Sequence, residues 1–342
     1  MVDVVIASYL EPELVARIAT ARADVRVHAR PDLVPPPRYV ADHVGAPFER
    51  SAGIDAQWRA LLGQADVLFD FDYVRPQNLL EHAPRLRWVQ ASSSGIGQFV
   101  RRHRLCERGI VFTTAAGIHA RPLAEFVLWA SLAAVKGYPR ARAQQRAAVW
   151  DRFHGAELGG ATLLMVGVGS IGRAVASLMR PLGVRVIGTK RVIEGFNAEG
   201  LGVDALIPWT QLSDALPDAD IVVLACPLTS QTAGLIGVEQ LRRCKPGSVL
   251  VNIGRGGLID HEALVRSLDE GRPSLAVLDV TDPEPLPPEH PLWRHERVIL
   301  FPHSASTSHR ENERLVDLFL DNLDRFAEGR PLRNVYQDER GY

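Results

Sequence analysis

The chain has 342 residues, 46% of them hydrophobic and 23% charged, which suits a globular protein of two domains and excludes disordered and collagen-like classes. Its 39 Lys and Arg against 40 Asp and Glu leave a formal charge of −1, so no net field draws it to nucleic acid or to an anionic membrane. Three cysteines, Cys106, Cys226 and Cys244, show no CxxC spacing, which argues against a disulfide framework or a bound metal and for a reducing, cytoplasmic setting.

In chain order, Met1–Ile6 lacks the basic start of a signal peptide, and Val2–Ala7 reads as a strand. Pro12–Ala21 reads as a helix and Val25–His28 as a strand, while the proline-rich Pro31–Pro37 is a loop. A helix through Gln57–Leu62 leads to strands at Ala65–Phe69, Arg87–Ala91 and Ile110–Thr113. This alternation predicts a parallel sheet with helices on its faces. Leu123–Lys136 is a helix apolar nearly all round, too short to span a bilayer, and buried between layers or at a subunit contact.

A second series starts with the strand Thr162–Val166 and the helix Ile171–Leu182. Strands recur at Val184–Ile187, Ile221–Leu224, Ser248–Asn252, Leu275–Val280 and Val298–Phe301, separated by helical stretches at Thr210–Ala215, Val238–Cys244 and His261–Glu270. Asp260 is placed to cap the last of these and Gly271 to end it. A strand every 25 to 30 residues on average, from 162 to 301, is the rhythm of a doubly wound sheet. Arg310–Glu328 reads as one amphipathic helix and Pro331–Tyr342 as a tail.

Gly167-Val168-Gly169-Ser170-Ile171-Gly172 carries G-x-G-x-x-G directly after an apolar strand and opening a helix, the context a dinucleotide fingerprint requires. Gly167 permits the tight turn, Gly169 lets a pyrophosphate approach the backbone, and Gly172 lets the helix pack on the sheet. The free N–H groups of Ser170 and Ile171 then face the anion. At the end of the next strand, where an NAD-binder places an acidic residue, stand Lys190 and Arg191. They cannot accept bonds from ribose hydroxyls but attract a 2′-phosphate, so NADP(H) is the preferred cofactor and NAD(H) a possible one.

Four further clusters follow predicted strand ends: Cys226–Thr232, Val251–Gly257, Leu278–Pro287 and Phe301–Ala305. In an open α/β sheet, ligands bind outside the carboxyl ends of the strands. With the glycine turn, these motifs give the chain a dense resemblance, from about Trp88 to Ala305, to the D-isomer-specific 2-hydroxyacid dehydrogenase family, which includes glyoxylate/hydroxypyruvate reductases and phosphoglycerate dehydrogenases. The resemblance implies a Rossmann-type doubly wound parallel sheet inserted into a smaller flavodoxin-like α/β substrate domain. The substrate domain would take residues 1–117 and 306–342, and the NAD(P)-binding domain 118–305.

The same resemblance implies roles. Arg255 matches the arginine that holds the substrate carboxylate, His303 the acid/base, and Glu284 the acid that orients that imidazole. Asp279 matches a group holding the nicotinamide carboxamide, and Cys226, Pro227, Thr232, Ile253 and Gly254 match positions lining the cofactor. Ser93, Ser94 and Gly95 match a loop whose backbone N–H groups hold the substrate carboxylate. The family often has Asp where this chain has Gly97. The small residues of that loop suit a small 2-keto acid such as glyoxylate, hydroxypyruvate or pyruvate. His119, His261 and His290 receive no role and read as surface positions.

Two alternatives stand beside a 2-keto acid reductase: oxidation of the phosphoglycerate kind, and a non-catalytic dinucleotide sensor like the family's corepressors. A homodimer is expected from the family, from the apolar helix Leu123–Lys136 and from Trp150–Phe153, with neither a nucleic acid nor a membrane as partner.

Overall fold

The apolar runs become the strands of two all-parallel sheets in a computed structural model that describes residues 1–338. Contacts divide the chain into two units: Met1–Ile118 with the described part of Thr307–Tyr342, and His119–Ser306.

The first unit holds β1 (Val2–Ile6), β2 (Val25–His28), β3 (Val67–Phe69), β4 (Trp88–Gln90) and β5 (Val111–Thr113), in the order β2-β1-β3-β4-β5. Successive side chains point to opposite faces, and both faces are covered. Val5, Leu68, Val89 and Phe112 meet Trp58, Leu62, Leu79 and Leu105 on one side. Val4, Ile6, Val67, Phe69 and Trp88 meet Ile18, Leu315, Phe319 and Leu323 on the other. The helix Glu311–Ala327, far away in sequence, therefore completes this unit. Phe319 stacks on Trp88 with centroids 5.2 Å apart and meets Phe69 edge-on at 5.3 Å, and Asn322 donates to the Gln90 side chain at 3.0 Å. The expected tail is partly docked: Val335 bridges to Thr113 and the Tyr336 N–H donates to the Phe112 carbonyl at 2.8 Å. Residues 339–342 of that stretch lie outside the described residues.

The second unit holds β6 (Thr162–Val166), β7 (Arg185–Lys190), β8 (Ala205–Pro208), β9 (Ile221–Leu224), β10 (Val249–Asn252), β11 (Leu275–Leu278) and β12 (Val298–Leu300). Their order is β12-β11-β10-β9-β6-β7-β8. Strands β9, β10 and β11 are buried along their whole length, as expected of strands covered on both faces. The order reverses between β6 and β9, which places the glycine turn after β6 at the switch point.

Several elements depart from the sequence reading. The helix expected over Ile171–Leu182 runs Ser170–Met179 and then tightens into a 3-10 turn over Arg180–Leu182. There Pro181 offers no N–H to the helix and Gly183, at φ +80°, turns the chain out. The helix expected at Gln57–Leu62 starts earlier, at Ala52, because Ser51 caps it by accepting from the Ile54 N–H. Strand β8 and the polar, exposed helix Tyr138–Arg146 carry no apolar periodicity and were not legible. His261, read as a surface position, is buried. Among the described residues no helix is long and apolar enough to cross a membrane.

Replacing Phe319 by Ala removes the ring that closes one face of the first sheet. It is expected to cost roughly 3–5 kcal/mol in urea unfolding, and a loss well below that range would mean that the helix Glu311–Ala327 does not carry this core.

Candidate active site

The turn after β6 is shaped by what a side chain would hit. Gly167 has φ +100°, and a Cβ there would lie 3.0 Å from the Cys226 backbone. Its N–H donates to the buried Thr189 hydroxyl at 3.3 Å. A Cβ on Gly172 would sit 2.9 Å from the Gly167 carbonyl, whereas one on Gly169 would meet nothing within 4 Å. The helix beginning at Ser170 has no side-chain cap. Its first N–H groups, Ser170 and Ile171 among them, therefore stand free in front of an open approach, and a phosphate group fits that cradle.

Beside this turn, β7 ends in Thr189 and Lys190. The Lys190 ammonium donates to the Val168 carbonyl at 3.3 Å and lies 4.2 Å from the centroid of the Phe196 ring, while Arg191 is exposed. On the other side of the turn, Cys226 follows β9 and Gly254 follows β10. A Cβ at Gly254 would approach the Cys226 carbonyl at 3.2 Å, so the two loops are in close contact. Burial pushes the Cys226 thiol up to about 11, leaving it neutral. The Thr232 hydroxyl donates to the Pro227 carbonyl at 2.7 Å and accepts from the Thr229 N–H at 2.8 Å, so its bonds lie within its own turn. Ile253 is buried.

The loop after β10 presents Arg255. The wholly buried Asn252 fixes it from below, accepting from the Gly254 N–H at 3.1 Å and donating to the Arg255 carbonyl at 2.9 Å. The Arg255 guanidinium donates to the Gly254 carbonyl at 2.7 Å. Burial lowers its pKa and the charge of Glu284 opposes that, so the arginine lies within electrostatic reach of the acid. The next residue, Gly256, cannot carry a side chain, because a Cβ would overlap the Thr281 carbonyl group. This close approach joins the arginine loop to the loop that carries Glu284. Asn252 and Gly256 have no chemistry of their own in the sequence, and only the fold reveals what they hold.

Glu284 and His303 form the centre of the site. His303 Nδ1 lies 2.9 Å from Glu284 Oε2, and Glu284 Oε1 accepts from the Thr281 N–H at 3.0 Å. With Nδ1–H assigned to the carboxylate, Nε2 is the atom left to exchange a proton. The hydrogen bond to Glu284 raises the pKa of His303 against the opposing effect of burial. Burial works to raise the Glu284 carboxyl, but the His303 and Thr281 bonds outweigh it and hold the carboxyl low.

His303 has φ +52°, a left-handed conformation that costs a non-glycine residue roughly 1–3 kcal/mol. Asp279 supplies the restraint: its carbonyl accepts from the His303 N–H at 2.8 Å, and Oδ1 accepts from the N–H groups of Ser304 and Ala305 at 2.8 and 2.9 Å. Burial pushes the Asp279 carboxyl up, and those two N–H groups partly offset the shift.

Ser93, Ser94 and Gly95 lie in the first unit, exposed beyond the end of β4. The Ser93 hydroxyl accepts from the Gly95 N–H at 3.2 Å, and its carbonyl accepts from the Ala115 N–H at 3.1 Å. The other residues given a catalytic or cofactor role, from Gly167 to His303, all belong to the second unit. Among the described residues no group of three or more His, Cys, Asp or Glu side chains is placed to hold a metal.

A family model described as "D-isomer specific 2-hydroxyacid dehydrogenase, NAD binding domain" matches residues 128–305. The chain is 35% identical over 268 residues to a glyoxylate reductase of Korarchaeum cryptofilum, covering 76% of this chain and 79% of that one. Its fold is similar to that of a D-isomer specific 2-hydroxyacid dehydrogenase family protein from Aeromonas salmonicida, with a TM-score of 0.80, 27% identity, and 98% and 99% of the two chains covered. It is also similar to a D-isomer specific 2-hydroxyacid dehydrogenase from Xanthobacter autotrophicus solved with NADPH and MES, at a TM-score of 0.79, 24% identity and 99% coverage of each chain.

Replacing Glu284 by Gln keeps the size of the side chain but removes the charge that stabilises the imidazolium. The titration of the His303 ring, followed by NMR, is expected to move to lower pH. A ring that titrates where it did before, or higher, would show that Glu284 does not set its protonation.

Proposed function

Since the chain belongs to the D-isomer-specific 2-hydroxyacid dehydrogenase family and is an NAD(P)-dependent oxidoreductase, we propose that it reduces a small 2-keto acid of the glyoxylate and hydroxypyruvate kind, with NADPH as its preferred cofactor. The observation that carries this reading is the carboxylate-backed imidazole of Glu284 and His303, within electrostatic reach of a partly buried arginine, Arg255.

Arg255 holds the substrate carboxylate. Its planar guanidinium suits a two-point grip, and burial strengthens the charge it offers. His303, protonated and steadied by Glu284, gives the Nε2 proton to the C2 oxygen as that oxygen gains negative charge, and takes it back in the reverse direction. The dihydronicotinamide, when bound, supplies the hydride. We assign the backbone N–H groups of the Ser93–Ser94–Gly95 loop to the substrate carboxylate as well, which makes residues 1–117 and 306–342 the substrate domain and 118–305 the nucleotide domain.

The uncapped helix start at Ser170 and the open face of Gly169 support pyrophosphate binding there. Cys226, Pro227, Thr232, Ile253, Gly254 and Asp279 are read as the cofactor's surroundings. For NADPH, the support is the Lys190–Arg191 pair where an acidic residue would favour NADH. Phe196 and the Val168 carbonyl hold the Lys190 ammonium beside the glycine turn, ready to meet a 2′-phosphate. The glyoxylate reductase of Korarchaeum cryptofilum supports the substrate class, and the NADPH complex of the Xanthobacter autotrophicus protein is in keeping with the cofactor.

A homodimer is part of the same reading. Trp150 is 97% exposed, Tyr138, Val149, Trp129 and Leu132 are exposed as well, and the Trp129 and Tyr138 rings meet edge-on at 6.5 Å; exposed apolar side chains of this kind mark an interface. Sedimentation as a monomer would overturn it.

Initial rates with NADPH or NADH and a panel of glyoxylate, hydroxypyruvate and pyruvate test the proposal. NADPH is expected to be oxidised with the lower KM. Arg255→Ala raises KM for the keto acid and lowers kcat with nucleotide binding nearly unchanged, and His303→Ala lowers kcat by at least ~10²-fold. No oxidation with any of the three acids would leave a nucleotide sensor in place of a reductase, and a lower KM for NADH would overturn the cofactor assignment.

A further inference from the structure

The reaction above makes no use of a buried polar cluster in the first unit. Ser8, Asp70 and Ser92 stand just past the carboxyl ends of β1, β3 and β4, where the strand order reverses, and His43 and Tyr73 pack against them. Asp70 is fully buried and has φ +70°. A charged side chain out of reach of water and a left-handed backbone at a non-glycine residue each cost stability, and the bonds around Asp70 show what that cost secures.

Its N–H donates to the Gln90 carbonyl at 2.7 Å, continuing the β3–β4 ladder. Oδ1 accepts two bonds, from the Tyr73 hydroxyl at 3.0 Å and from the Ser92 N–H at 3.2 Å. Burial and the charge of Asp70 push the Tyr73 hydroxyl well above its usual range, so it remains a donor. Oδ2 accepts no hydrogen bond and faces His43 Nδ1 at 3.7 Å, the one basic group within ion-pair distance of it among the described residues. His43 is in turn held by the Ser8 hydroxyl at 3.1 Å.

Ser92 is the residue from which Ser93, Ser94 and Gly95 depart. We propose that Asp70 is a positioning residue for that substrate loop: its carboxylate fixes the Ser92 N–H, and so the direction in which the next three backbone N–H groups point, while the Tyr73 hydroxyl and the bond to the Gln90 carbonyl fix Asp70, with His43 facing Oδ2. The inference rests on the assignment of Ser93–Gly95 to the substrate carboxylate. Residues 8, 43, 70 and 92 come together only through the sheet, so the loop's geometry is set by side chains outside it.

Asp70→Gly is the test, because glycine accepts φ +70° and only the carboxylate is lost. Removing a charged acceptor from one backbone donor is expected to raise KM for the keto acid about tenfold, with kcat and KM for NADPH little changed. Asp70→Asn, which keeps an acceptor oxygen and tolerates the left-handed backbone, restores most of the affinity. A role in stability alone would lower Tm and leave both KM values in place, and that result beside an active wild type overturns this inference and no other. A wild type that reduces no keto acid removes the functional reading first, and this inference with it. If Asp70→Gly does not fold, amide exchange in the wild type decides: the Ser92 N–H is expected to exchange more slowly than that of Ser94, and equal rates overturn the proposal.

Discussion

The site depends on one hydrogen bond, the 2.9 Å contact between His303 Nδ1 and Glu284 Oε2. It assigns the tautomer, leaves Nε2 free of that bond and open to the proton exchange proposed above, and raises the affinity of the ring for its proton. Neither partner could serve alone. Without the carboxylate, burial would hold the ring's pKa below its ordinary value, and a carboxylate alone, ionised at neutral pH, would rarely carry a proton to give. The pair makes a proton donor near neutrality, and most of the surrounding structure holds these two side chains in register.

That support comes from backbone groups. Asp279 anchors three consecutive N–H groups, at 303, 304 and 305, and so offsets the left-handed strain at His303. The Thr281 N–H holds Glu284 from behind, and Thr281 itself is pressed against Gly256, next to Arg255. The chain from Asn252 through Gly256 and Thr281 to Glu284 and His303 thus couples the three loops after β10, β11 and β12. Those strands are parallel neighbours, which brings their carboxyl ends to one edge of the sheet. Core strands set where the loops begin, and a few side-chain-to-backbone bonds set where they end.

What the sequence revealed follows from the range of the interactions. The glycine turn was readable because strand, glycines and helix are contiguous, and the start of the helix His261–Asp269 because Asp260 accepts from an N–H only three residues on. Arg255, Glu284 and His303 were singled out through family resemblance; no spacing rule links residues 19 apart in the chain, such as 284 and 303. Gly256 looked like any loop glycine until Thr281 filled the space its side chain would need. Asp70 and His43 carried no readable signal, since apart from the Tyr73 bond to Asp70 their partners lie 22 and 35 positions away. Strand β8 escaped because it is four residues long, half-buried and ends in proline, so neither alternation nor a continuous apolar run could mark it.

The most direct measurement of the central claim is the pH dependence of kcat in both directions of the reaction. Reduction needs the imidazolium and oxidation the neutral ring, so the first is expected to be level at low pH and to fall as pH rises, while the second rises over the same interval. Each limb should report a pKa above the ordinary histidine value of about 6.5. Reduction that gains with pH, or two directions that are both flat through that interval, would contradict the account.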